Sequence, residues 1–214
     1  MKRLLAALAA ASLLGACAAP SSPRWLLETG SALDAWREAY LNGDDRAASH
    51  ELALARREVG RTGDAIQMAR VELSVCAAQA ASLAAAGCPG FPPLAADAGA
   101  AERAYAAWLN GEPVSPGLLP ASQRPAAQSG QSADLAAIAD PLSRLLAASM
   151  LRLQGRLPDD AHAIAIDTAA ALGWRRPLLA WLAADRERLL AHGETASAAE
   201  RQRRIERIVA SGSR

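Results

Sequence analysis

Cysteine and histidine are the side chains of this chain whose types and spacing would support chemistry. Cys76 and Cys88 stand twelve positions apart. A metal centre needs more ligands than two thiolates and a remote His50, and a redox dithiol needs the tighter C-x-x-C spacing. His162 follows Asp159 by three residues and precedes Asp167 by five, so a carboxylate could orient its imidazole as a base. No motif sets a serine or cysteine nucleophile beside it. The plainer expectation is that Asp159 and Asp160 cap a helix and His162 rides on its first turn. His192 is expected at a helix C-terminus, where a cation is favoured, and His50 on an exposed helix face. No catalytic residue, metal ligand set or cofactor motif is assigned.

Two other groups of residues stand out. Trp25, Trp36, Trp108, Trp174 and Trp181 are few and large in an alanine-rich chain. Trp25, Trp36 and Tyr40 could form a membrane-interface belt or a partner-binding stripe. The favoured reading makes them bulky anchors of a core short of large side chains. Arg201, Arg203, Arg204 and Arg207 make the last helix basic, with Ile205, Ile208 and Val209 as its apolar edge. Arg203, Arg204 and Arg207 are the candidate surface for an acidic partner or anionic lipid. The alternative is a solvated face interleaved with Glu200 and Glu206.

The elements that must position these residues are helices. Aromatic residues make up only 4% of the chain, alanine dominates the apolar fraction, and β-branched residues are scarce. Glycine and proline act as joints. Gly43, Gly60, Gly63, Gly87, Gly111, Gly155, Gly173 and Gly193 follow helix-like runs, and Asp44, Asp64, Asp97, Asp140 and Asp160 precede them. The expected helices are 24–42, 45–60, 64–82, 98–110, 141–154, 160–172, 176–192 and 196–210, with a helical turn near 133–139. The clearest is 141–154, where Leu142, Leu145, Leu146, Ser149, Met150 and Leu153 share one face. The expected fold is all-α, with helical hairpins stacked as a bundle or a short tetratricopeptide-like solenoid. Gly87 to Pro93 breaks the pattern. So does 112–132, a Pro/Ser/Gln-rich linker or loop between a front half, 24–111, and a rear half, 133–211.

The N-terminus has the layout of a secretory signal peptide. Lys2 and Arg3 form a basic head, Leu4 to Leu14 an apolar run too short to span a bilayer, and residues 17–23 a loose tether. Leu14-Gly15-Ala16-Cys17 resembles the lipobox of bacterial lipoproteins. That resemblance covers residues 1 to about 20. It implies that the signal peptide, 1–16, is cut off and that the Cys17 thiol is acylated. Ala18, rather than Asp, after the cysteine implies the outer membrane. Losing Lys2 and Arg3 turns the formal net charge of +1 into −1. So balanced a chain lacks the basic footprint that nucleic acid requires.

Export also bears on the cysteines. Two cysteines in an oxidising compartment usually pair, with free structural thiols as the alternative. A helix running unbroken from Cys76 to Cys88 would hold the Cα atoms about 18 Å apart, whereas a disulfide allows at most about 7 Å. Pairing therefore requires the helix to stop soon after Ala80 and the chain to turn back through 82–87.

These features suggest a lipid-anchored, periplasm-facing protein of the outer membrane that binds another envelope protein, as an assembly component or scaffold. Pilotins, which escort secretion or pilus components, resemble this chain in being lipidated and helical. That is an analogy of class alone. An envelope hydrolase is a third class, without paired carboxylates, zinc ligands or a nucleophile motif to carry it.

Overall fold

Two aspartates start the first helical repeats as their chemistry requires. The Asp44 carboxylate accepts from the Ala47 N–H at 2.9 Å, and Asp64 accepts from the N–H groups of Ile66 and Gln67. The structure, a computed structural model, describes residues 23–84 and 87–211. Within them the chain forms ten α-helices, with short 3-10 turns and no strand. The first three are α1 (Arg24–Asn42), α2 (Asp45–Gly60) and α3 (Ala65–Ala81). After a 3-10 turn at Pro92–Leu94 comes α4 (Ala100–Leu109). Two short helices follow, α5 (Arg124–Gln128) and α6 (Ser132–Ala137). The rear of the chain supplies α7 (Pro141–Leu153), α8 (Ala161–Ala171), α9 (Arg175–Ala191) and α10 (Thr195–Ser211). The fold is all-α, and sequence neighbours pack as hairpins into a bundle.

The centre of the bundle is α7. Its expected apolar face is too narrow a description, because every residue from Leu145 to Met150, and Leu151 after them, is buried. Helices α3 and α8 cover different sides of it, so Ala147 and Ala148 go inside as well. Leu153, expected on the inner face, is 46% exposed because the helix is ending there. Small side chains let neighbours approach closely: Ala69, Ala81, Ala147, Ala161, Ala165 and Ala169 are completely buried.

One core includes residues from both sides of 112–132. Three polar contacts fasten it. The Ser149 hydroxyl donates to the Ala80 carbonyl at 2.6 Å, and the Trp181 indole N–H donates to the Ala81 carbonyl at 3.1 Å. These carbonyls belong to the last turn of α3, past the helix's own N–H donors; Ala80 also accepts from the Leu83 N–H of the turn that follows. The third is Gln123, whose side-chain carbonyl accepts from the Trp108 indole at 3.3 Å and whose amide donates to the Ser143 carbonyl at 2.9 Å. The 112–132 stretch therefore lies against the core, with Leu119, Gln123 and Ala126 buried.

Some expected joints differ. Gly60 stays inside α2, and the left-handed turn falls at Gly63, with φ +63°. Helix α4 starts at Ala100 behind Gly99, so Asp97 caps nothing. The Asp160 side chain makes no cap bond to α8. It accepts instead from the Ser132 hydroxyl, which ties the start of α8 to α6. Helix α3 ends without a glycine: Leu83 takes φ +52°, while the N–H groups of Leu83 and Ala84 bond back to Ala80 and Gln79.

Asp185 joins α9 to α10. It is 3% exposed and accepts from Arg188 on its own helix and from Arg201 on α10, both at 2.9 Å. Burial alone would raise its pKa. The hydrogen bonds from Arg201 and Arg188 outweigh that and hold it below the ordinary carboxylate value. A depressed folded pKa contributes stability above the unfolded value of about 3.9, lost as pH falls through the folded one. Asp185→Asn should cost about 2 kcal/mol near pH 7. The gap to wild type should close as pH drops below about 4. Urea titrations at several pH values test this, and a gap independent of pH would remove the carboxylate from the account.

Candidate functional site

The residues singled out from the sequence do not converge. Cys76 and Cys88 lie at disulfide distance, with Cα atoms 5.4 Å apart. Helix α3 stops at Ala81 and the chain turns back, as pairing requires. Both cysteines are buried, so the pair works as a brace. His162 is buried on the first turn of α8, edge-on to Trp181 with ring centroids 6.0 Å apart. Its Nδ1 faces the Asp159 carbonyl oxygen at 3.2 Å, and burial holds its pKa below the usual histidine value. Asp167 is exposed on α8, and the Asp159 carboxylate lies 3.7 Å from Arg188. His162 is thus a neutral packing residue. His50 is exposed on α2, and His192 caps the C-terminus of α9.

Trp36, Trp108 and Trp181 are buried core anchors, whereas Trp25 and Trp174 are only half-buried. On α10, Arg201 pairs inward with Asp185, Arg204 is half-buried, and Arg203 and Arg207 face outward. Cys17 and the rest of the lipobox lie outside the described residues. Among the described residues no group of three or more His, Cys, Asp or Glu could hold a metal ion. No helix among them is long and apolar enough to cross a membrane.

The concave site that the structure presents was not foreseen. An open cleft of about 620 Å3 lies between the first half of α3, helix α4 and the 116–124 stretch. Its floor is apolar, made by Leu73, Ala101, Leu119 and Pro120. Leu118, 46% exposed, stands at its edge on the 3-10 turn Pro116–Leu118. Tyr105 forms part of the wall. Burial, with the charge of Asp140 in second place, pushes its pKa well above the usual range, so the hydroxyl stays protonated. Among the described residues that hydroxyl has no hydrogen-bond partner. Two guanidinium groups flank the opening. Arg70 donates to Glu102 at 2.9 Å and holds the Glu102 carboxyl below the ordinary range, although burial opposes this. Arg124 donates through Nε to the Leu119 carbonyl at 3.0 Å, and the residue remains exposed.

No family model, curated protein or solved structure matches this chain.

The cleft must therefore be read from its own chemistry. It offers an apolar slot for an aliphatic or aromatic side chain, with Tyr105 in the wall and a cation at the mouth. That set recognises an apolar group flanked by a carboxylate or carbonyl. A second groove of about 630 Å3 runs between α1 and α2. Its ionic groups largely satisfy one another: Arg24 pairs with Glu28, and Glu58 with Arg61. Its apolar lining, from Trp25, Ala32 and Leu54, is interrupted by those charges. One signal in the sequence could have found the first cleft: Leu118-Leu119 is a bulky apolar pair inside an otherwise polar, proline-rich tract.

Proposed function

We propose that the protein is a non-enzymatic component of the bacterial envelope. It is held at the outer membrane through an acylated Cys17, faces the periplasm, and binds a segment of another envelope protein. The observation that carries the binding reading is the cleft at Tyr105 and Leu118: an apolar floor, the Tyr105 side chain in the wall and the exposed Arg124 at the rim. The occupant that fits is a peptide segment with an aliphatic or aromatic side chain next to an acidic residue. The side chain covers Leu73 and Leu119, and the carboxylate meets Arg124. The anchor reading rests on the basic head, the short apolar run and Leu14-Gly15-Ala16-Cys17.

Two experiments test the two halves separately. A photoreactive amino acid placed at position 118 in cells should cross-link to one other envelope protein. The same group at Leu190, equally exposed on α9, should not. An adduct only with a second copy of this chain, or none above the Leu190 control, rejects the reading. Ala101→Glu should abolish the adduct, because Ala101 is exposed in the cleft lining and the change sets a carboxylate on the apolar surface. For the anchor, Cys17→Ser should leave an unprocessed precursor without fatty acid. Labelled fatty acid on that variant, or wild-type protein free in the periplasm with its N-terminus elsewhere, would contradict acylation at Cys17.

A further inference from the structure

The end of the molecule beside the tether carries a cluster of apolar side chains that the core does not use. Leu26 is 43% exposed and Leu27 61%, on the first turn of α1, and Trp25 between them and Arg24 is half-buried. Helices α1 and α2 form a hairpin, so the C-terminus of α2 returns to this end: Arg61 lines the same groove as Arg24 and Trp25. The next helix, α3, begins a few residues later at Ala65, and its second residue, Ile66, is also exposed. Of the eight large apolar side chains exposed in the described residues, two, Leu26 and Leu27, are adjacent on this first turn. Arg24, Arg57 and Arg61 surround them, each with most of its side chain in solvent.

We infer that this end, with Trp25, Leu26 and Leu27 leading, rests in the headgroup region of the bilayer that carries the anchor. The inference depends on acylation at Cys17. From Cys17 to Pro23 the tether can extend at most about 25 Å, so the first turn of α1 never leaves the neighbourhood of the membrane surface. Leucine and tryptophan gain by entering that layer, and arginine can lie over them with its head in water. The charges nearly cancel, because Glu28 pairs with Arg24, Glu58 with Arg57 and Arg61, and Asp64 is adjacent. The contact is therefore apolar and should differ little between zwitterionic and anionic lipid.

The same geometry assigns the basic helix elsewhere. Arg176, at the start of α9, donates to the Tyr40 carbonyl at the far end of α1, and Arg175 reaches the Val209 carbonyl. The C-terminal part of α10, with Arg207, therefore lies near the end of α1 remote from the tether. Helix α1 is 19 residues long, about 28 Å. Arg203 and Arg207 face the periplasm in this orientation, not the lipid.

The test uses full-length acylated protein reconstituted into phosphatidylcholine vesicles whose acyl chains carry bromine, a contact quencher of tryptophan. Flotation reads the anchor and quenching reads the contact. Wild type should float and lose part of its emission. Trp25→Phe should float and lose most of that quenching, because Trp36, Trp108 and Trp181 are buried and the half-buried Trp174 precedes α9 at the end of α1 remote from the tether. Leu26→Asp with Leu27→Asp should float with quenching strongly reduced and circular dichroism unchanged. Protein that floats without quenching, or whose quenching survives Trp25→Phe, overturns the inference alone. Protein that does not float overturns the anchor reading, and the inference with it.

Discussion

Trp181→Ala should be the most damaging single substitution in the rear half, costing about 3–5 kcal/mol. The side chain is fully buried in the core, bonded to the end of α3 and edge-on to His162 of α8, and its removal empties the largest kind of side-chain volume the core contains. Its indole also satisfies the Ala81 carbonyl at the end of α3. Losing that donor adds the desolvation cost of an unpaired backbone oxygen, about 1–3 kcal/mol if water cannot enter. The total approaches the whole stability of an ordinary domain, about 5–15 kcal/mol. Trp181→Phe separates the two parts, since it keeps most of the volume and loses only the N–H. It should cost clearly less than Trp181→Ala but more than nothing. Urea unfolding midpoints for the pair decide it, and equal costs would mean that the hydrogen bond, not the volume, dominates.

The paired substitution Cys76→Ser with Cys88→Ser should cost about 3 kcal/mol in the chain-entropy account of cross-links. The bridge closes a loop of sequence separation 12. In the folded state it holds Phe91 and the Pro92–Leu94 turn against α3. That stretch is held mainly by local turns, such as Phe91 N–H to Cys88 carbonyl and Leu94 N–H to Phe91 carbonyl, so little else would keep it in place. Reductant should lower the wild-type midpoint to that of the double variant and leave the variant unmoved. Non-reducing peptide mapping of the exported protein must also show the 76–88 link. Two free thiols there would sink the prediction.

The helices were legible because their signals are local. Asp44, Asp64 and Asp140 cap where an N-cap aspartate should, and the helix ends fall near glycines. The turn-back after Ala81 followed from a distance argument on two cysteines. The failures share a cause: they concern which surface meets which. Leu83 in a left-handed turn has no glycine to announce it, and only the return of the chain toward Cys88 explains it. Gln123 sits in a tract whose composition reads as solvent-exposed, yet it is buried because Trp108 and Ser143 offer partners from two distant elements. The cleft is hard to see for the same reason, with only the Leu118-Leu119 pair to hint at it. Leu73 and Tyr105 are 32 residues apart and Leu118 a further 13, and each is unremarkable until α3, α4 and the 116–124 stretch are set side by side.

The buried alanines decide how this protein can change. In a core built from large side chains, mutation most often leaves a void. Here Ala69, Ala147, Ala161, Ala165 and Ala169 already carry almost nothing to remove, and each is completely shut off from solvent. Growth is the forbidden direction: an added branch has to push helices apart, at about 1–3 kcal/mol each. The interior is therefore fixed by its smallest members. Variation has room on the rims, where residues such as Leu118 and Leu27 can be exchanged without moving a helix.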